Sequence, residues 1–285
     1  MNLNLLQAII FGIIQGLTEF LPISSTAHLT IAAKLFHVIP ALSDHEWTAF
    51  MAVIQLGTML AVLIYFLKDI WNILNAFFKE NVGKGKIEYS KQSLNSKLGW
   101  LIIVGSIPIG IVGISLKKII EGSLTKDLYV IAASMIGLAL ILAVAEKTSS
   151  FKKEIKEISI KDALLVGVAQ CFALIPGSSR SGTTITAGLF LGMKREAAAR
   201  FSFLLSLPAV FASGFLELWE SRKFINPALS LDLIVAAIFA LTFGYWSIDL
   251  LLKFLRTKTT FVFVYYRIAV GLAILALILT HMILA

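Results

Sequence analysis

The chain has 285 residues, 58% of them hydrophobic and only 15% charged, with a mean hydropathy of +0.87. That composition excludes a water-soluble domain of this size and makes lipid the solvent. The formal charge of +8 does not signal nucleic acid, because the basic residues fall in short segments between apolar runs, as in loops beside anionic headgroups.

In chain order, Met1 to Phe11 carries no Lys or Arg, so it lacks the charged start of a secretory signal and is expected to be retained. The apolar stretch Leu3–Phe36 is interrupted at Pro22-Ile23-Ser24-Ser25-Thr26, which predicts two short helices and a break. A bilayer core of about 30 Å needs about 20 apolar residues in a helix. Trp47–Phe66, Leu98–Leu116 and Leu128–Ala145 meet that requirement, then Ala198–Trp219, Leu231–Leu252 and Phe261–Leu284. Between the two groups, Ala163–Gly192 is interrupted at Pro176-Gly177-Ser178-Ser179 and again predicts two short helices. The simpler alternative is a Pro kink in one long helix. Glu19, His28 and Arg180 beside the breaks argue against it, since irregular backbone and charge at membrane depth survive where protein or a watery cavity surrounds them.

Ala8, Gly12, Gln15, Pro22, Ser24 and Ser25 align with Ala163, Gly167, Gln170, Pro176, Ser178 and Ser179 after a one-residue gap, and Ile136-Gly137-Leu138-Ala139 echoes Val270-Gly271-Leu272-Ala273. The expected architecture is therefore an all-α integral membrane protein with six transmembrane helices and two re-entrant helical hairpins in an inverted-topology repeat. Residues 1–146 form the first half with its hairpin at 3–36. Residues 147–161 form a cytoplasmic loop, and 162–285 the second half with its hairpin at 163–192. Lys79, Lys84, Lys86, Lys91 and Lys97 in one loop, and Lys147, Lys152, Lys153, Lys156 and Lys161 in another, place those loops in the cytoplasm. Lys253, Arg256 and Lys258 agree, Lys117, Lys118 and Lys126 dilute the bias, and both termini face outward. Trp71, Trp100 and Trp219 suit interfacial anchoring.

In an inverted repeat the two breaks meet, setting Gln15, Glu19, Ser25 and His28 opposite Ser179, Arg180, Ser181 and Thr184. Helix starts after Ser/Thr clusters offer free N–H groups to an anion, and Arg180 can grip two phosphate oxygens at once. Glu19 approaches a phosphate only through a cation, which implies Mg²⁺ or a similar hard ion such as Ca²⁺ or Mn²⁺, with Glu19 as its ligand. Ser25 and His28, three apart, are workable as hydroxyl and base. An N-cap serine and a packed histidine are the plainer alternative.

His37, His45 and His281 lie near expected membrane ends, whereas Gln55 and Arg267 fall inside crossings, Arg267 with Asp249 as a candidate partner. Cys171 is the only cysteine, so no intrachain disulfide forms. Neither a Walker loop nor an intact HExxH is present: Ala49 stands where the second His would be.

Two motifs carry a family resemblance. Gln15-Gly16-Leu17-Thr18-Glu19 leads into Pro22-Ile23-Ser24-Ser25-Thr26-Ala27-His28, and Pro176-Gly177-Ser178-Ser179-Arg180-Ser181-Gly182-Thr183-Thr184 follows later. In these the chain resembles the bacterial undecaprenyl-diphosphatase, or bacitracin-resistance, family over nearly its whole length. The resemblance puts catalytic roles on Glu19, Ser25, His28 and Arg180 and supporting hydroxyls on Ser179 and Thr184; Gln15, Ser24, Thr26 and Ser181 are expected to complete the substrate contacts of the same composite site. Gln15 stands where many members carry a first Glu, and Ala27 where Gly is common.

The resemblance further implies a multi-pass protein of the bacterial inner membrane, dependent on a divalent metal, with its site open to the outer face. It would hydrolyse undecaprenyl diphosphate to the monophosphate and inorganic phosphate, with Ser25 attacking or His28 activating water. Its partners are that lipid and the bilayer, no nucleic acid is expected, and a homodimer is compatible. The alternative is a carrier of undecaprenyl phosphate, since broken helices at the midplane also serve transporters.

Overall fold

A computed structural model of the chain describes residues 4–36, 38, 44–116, 127–222 and 227–282. His37, Lys117, Lys118 and Lys126 lie outside them.

Helix α1 (Leu5–Phe20) begins at Asn4, whose side chain accepts from the Gln7 amide while the Gln7 side chain accepts from the Asn4 N–H. It ends at Leu21, extended at φ −63°, ψ 138°, the conformation that a following proline favours over the helical one. The chain restarts as α2 (Ser25–Leu35), capped by the Ser24 hydroxyl on the Ala27 N–H. Next come α3 (Asp44–Tyr65), α4 (Leu67–Asn81), α5 (Leu94–Ser115) and α6 (Leu128–Thr148). The remaining helices follow in order. Helix α7 (Ile160–Cys171) runs into a 3₁₀ turn at Phe172–Leu174 and stops before Pro176. Helix α8 (Arg180–Phe190) starts from the Ser179 cap, followed by α9 (Arg195–Ser221), α10 (Pro227–Thr257) and α11 (Phe261–Leu279).

No strand occurs among the described residues. Among the described residues six helical segments are long and apolar enough to cross a bilayer: Trp47–Tyr65, Leu94–Ser115, Leu128–Thr148, Arg195–Glu220, Leu231–Thr257 and Phe261–Leu279. These are the six crossings the hydropathy predicts. Helix α4 was not foreseen, because its charges and length fall short of a crossing. Ile73 is buried, while Leu67, Trp71, Leu74 and Phe78 form one exposed apolar stripe, the pattern of a helix lying in the interface.

Each hairpin beds on a helix of the other half. Helix α1 packs on α10, where a Cβ on Gly12 would stand 2.9 Å from that of Phe239 and one on Gly16 2.7 Å from that of Phe243. Helix α7 packs on α5, where a Cβ on Gly105 would stand 2.9 Å from the Ala163 carbonyl oxygen. Small residues allow this approach, which is how helices gain contact when lipid supplies no hydrophobic drive. Helix α2 closes onto α6 and α11 through Ala27, Met135 and Ile274.

At the lysine-rich end ion pairs tie helices to one another and to the 147–161 loop. Arg195 Nε donates to Glu146 at 2.8 Å, and the Thr260 hydroxyl reaches the other oxygen of that carboxylate at 2.9 Å. Arg200 meets Asp69 at 2.7 Å, and Arg256 meets Glu196 at 2.8 Å. Lys194 pairs with Glu154 at 2.6 Å and, with Lys156, holds that carboxyl below its ordinary range.

Two sequence expectations are corrected. Ser24 and Ser179 are the equivalent caps, at φ 75° and 67°, so the hairpins align without the gap. The extra 3₁₀ turn and Gly177 at φ 85° reshape the second break without changing its length. Arg267 does not pair with Asp249, which instead binds Lys253 at 2.7 Å and Tyr65 at 3.2 Å.

Candidate active site

The two breaks meet over a cavity of about 590 Å³ lined by both hairpins and by α3, α5 and α9. Glu19, on the last turn of α1, is its hub. The Ser25 hydroxyl donates to Glu19 Oε2 at 2.7 Å, the Gln15 amide donates to the same oxygen at 3.1 Å, and Arg180 forms an ion pair with Oε1. The Glu19 and Arg180 side chains are 9% and 18% exposed. The pair is mostly withdrawn from solvent yet still borders the cavity. Gln15 is anchored from behind by its amide's contact with Thr58 Oγ1, at 3.3 Å.

The sequence explains the convergence. Gln15 and Glu19 lie one helical turn apart on α1, while Ser25 and Arg180 are the first residues of α2 and α8, facing inward after strained serine caps. A non-glycine residue at positive φ costs about 1–3 kcal/mol. The same conformation at both caps turns two helix N-termini, with their free N–H groups, into one space.

Of the residues singled out from the sequence, Gln15, Glu19, Ser24, Ser25, Thr26, Ser179 and Arg180 line the cavity. Ser181, Thr184 and His28 do not. Ser181 donates to the Leu21 carbonyl at 3.1 Å, tying one hairpin to the other, and Thr184 sits 2.6 Å from the Ser202 hydroxyl. The expected Ser25–His28 contact is not made: His28 Nδ1 lies 2.7 Å from the Ser24 carbonyl and Nε2 lies 2.7 Å from the Tyr266 hydroxyl, with the rings stacked. Both ring nitrogens are engaged away from Ser25, because the turn before α2 aims residue 28 at α11.

Tyr266, Thr58 and Ser202 escaped the sequence reading, being far along the chain from the groups they hold. Gln55 lines the cavity from α3. Arg267 is fully buried, its Nε donating to the Met135 carbonyl at 3.2 Å and its Nη2 to the carbonyls of Gly177 and Ser178 at 3.3 and 3.0 Å. It clamps the second break from behind.

Among the described residues no cluster of three His, Cys, Asp or Glu offers a protein-only metal cage. The oxygen donors gathered at Glu19 are its own carboxylate, the Gln15 amide and the Ser25 hydroxyl. That set fits a hard dication drawing its remaining ligands from water and phosphate, as Mg²⁺ does.

The fold and site define a multi-pass membrane protein with a carboxylate, hydroxyl and guanidinium gathered between two broken helical hairpins. A family model described as bacitracin resistance protein BacA matches residues 8–273. An undecaprenyl-diphosphatase of Syntrophobacter fumaroxidans is 55% identical, over 98% of this chain and 99% of its own length. One of Chlorobaculum tepidum is 50% identical over 97% and 98%, and one of Myxococcus xanthus 48% identical over 98% and 90%. The chain belongs to the bacitracin resistance protein BacA family.

Proposed function

We propose that the chain hydrolyses undecaprenyl diphosphate to undecaprenyl phosphate and inorganic phosphate, returning the lipid carrier to cell-wall synthesis. The observation that carries this reading is the Ser25 hydroxyl donating to Glu19, which is paired with Arg180, inside the cavity. The names of the similar proteins favour an enzyme over a carrier.

Ser25 Oγ attacks the terminal phosphorus, and Glu19 Oε2 takes its proton. The bond to the bridging oxygen breaks, and undecaprenyl phosphate leaves. Glu19 releases the first proton to the departing undecaprenyl phosphate; water then attacks the phosphoserine phosphorus and gives a proton to Glu19, the bond to Ser25 Oγ breaks, Oγ takes that proton back from Glu19 Oε2, and inorganic phosphate departs. Arg180 exchanges Glu19 for the transferring group, where bidentate contact and the N–H groups of α2 and α8 stabilise the developing charge. The general base moves from His28, as the sequence suggested, to Glu19; His28 holds Ser24 and thereby the serine turn. Glu19 and the Gln15 amide oxygen would hold a Mg²⁺-like ion, whose chemistry is to neutralise diphosphate charge.

The hairpins are read as re-entrant and the halves, 1–146 and 162–285, as inverted repeats: the equivalent caps and the reciprocal packing of α1 on α10 and α7 on α5 support this. The cavity runs from Glu19 toward Ile114 and Glu220, at the ends of α5 and α9 remote from the lysine-rich loops. With those loops cytoplasmic, in a bacterial inner membrane, the site opens to the outer face.

Phosphate release from undecaprenyl diphosphate by detergent-purified protein with Mg²⁺ tests the proposal. Ser25→Ala and Arg180→Ala should each lower it by about 10²-fold or more. A folded wild type that released no phosphate with Mg²⁺, Ca²⁺ or Mn²⁺ would sink it.

A further inference from the structure

Gln170, on α7, and Ser178, in the second break, are fully buried, border the cavity and have no hydrogen-bond partner for either amide atom or for the hydroxyl. Native proteins leave few such groups unpaired, because each forfeits its hydration for nothing. An explanation lies in the equivalence of the hairpins. Gln170 stands as far ahead of the Ser179 cap as Gln15 stands ahead of Ser24, and Gln15 spends its amide N–H on Glu19. Where Glu19 stands in the first hairpin, the second carries Leu174, which also borders the cavity. The second amide has kept its place and lost its internal anion.

The charge balance points the same way. Arg180 and Glu19 cancel each other, whereas the bonds of Arg267 all run to main-chain carbonyls, two of them those of Gly177 and Ser178. A buried guanidinium therefore backs the turn that presents Ser178, with no carboxylate among those partners. Ser106, the remaining hydroxyl on the α5 side of the cavity, already donates to the Ile102 carbonyl at 2.7 Å.

We propose that Gln170 and Ser178 form a second anion subsite that binds the lipid-side phosphate of a diphosphate while Arg180 takes the terminal one. The subsite rests on the diphosphate reading above. It selects diphosphate over monophosphate: a lone phosphate is drawn to the Arg180 guanidinium, the charged group of the cavity lining, and leaves the Gln170 position empty, so a monophosphate is held less tightly than the substrate.

The test is binding rather than turnover. In a Ser25→Ala background, which removes the nucleophile, the affinities of purified protein for farnesyl diphosphate and farnesyl monophosphate are measured with and without Gln170→Leu, and with Ser178→Ala. Gln170→Leu should weaken diphosphate binding by about tenfold or more, the loss of a charge-assisted hydrogen bond, and leave monophosphate binding within about twofold. Ser178→Ala should act in the same direction, more weakly, and Gln170→Glu should weaken diphosphate binding further by like charge. Thermal unfolding of the ligand-free Gln170→Leu protein should be unchanged or shifted upward, since leucine removes an unpaired buried amide. Equal losses for both ligands, no loss for either, or a marked fall in ligand-free stability would overturn the subsite. If the wild type bound diphosphate selectively through Gln170 yet hydrolysed nothing, the phosphatase proposal would fall and the subsite would stand.

Discussion

Glu19 accepts from Gln15, Ser25 and Arg180 at once, so changes around it are not equivalent. Removing one partner of a buried ion pair costs about 3–5 kcal/mol, because the other charge is left desolvated; Arg180→Ala should therefore lose both activity and thermal stability. Arg180→Lys should restore much of the stability and little of the activity, since an ammonium cannot reproduce the bidentate grip. Activity and unfolding measured together separate the two effects. His28 presents a different case. Bonded to Ser24 and Tyr266, it acts on the turn, so His28→Ala should lower kcat less than Glu19→Gln, and Tyr266→Phe less again, by roughly tenfold at most. A His28→Ala loss as large as that of Glu19→Gln would restore histidine as the base. Glu19, Ser25 and Arg180 were legible in the sequence because polar groups in an apolar stretch need compensation. The direction His28 faces was not, because it depends on a tyrosine on the last helix.

Both hairpin breaks follow one local rule: a proline stops the first helix, and a serine with positive φ caps the second. At Ser179 (φ 67°) glycine would relieve the backbone strain while losing the cap, whereas alanine would lose the cap and keep the strain. Ser179→Gly should thus unfold near the wild-type temperature, and Ser179→Ala should lose about 1–2 kcal/mol, seen as an earlier transition in detergent. Helix α4 marks a limit of hydropathy, since an amphipathic segment this short and this charged does not score as a crossing. The match between the two breaks also needed the folded chain. Two prolines invited a gapped alignment, and only the caps revealed that Ser24 matches Ser179 and that Leu174 occupies the place of Glu19.

The orientation of the molecule is open to direct test. In a Cys171→Ala background, cysteines at the exposed Lys86 and Lys156 should react with an impermeant maleimide only after cells are opened, while one at the exposed Arg222 should react in intact cells. The reverse pattern would turn the site to the cytoplasm. The length and apolarity of the crossings, the two breaks and the ionisable groups beside them are all local properties, so the amino-acid order alone was enough to reveal them: a bilayer penalises unpaired charge and open backbone wherever they occur. Which groups meet was decided by packing. Glycines on α1 and α7 let these helices sink against α10 and α5, which joined Glu19 to Arg180, turned His28 away, enclosed Arg267 among carbonyls and left the buried Gln170 beside the cavity with no hydrogen-bond partner.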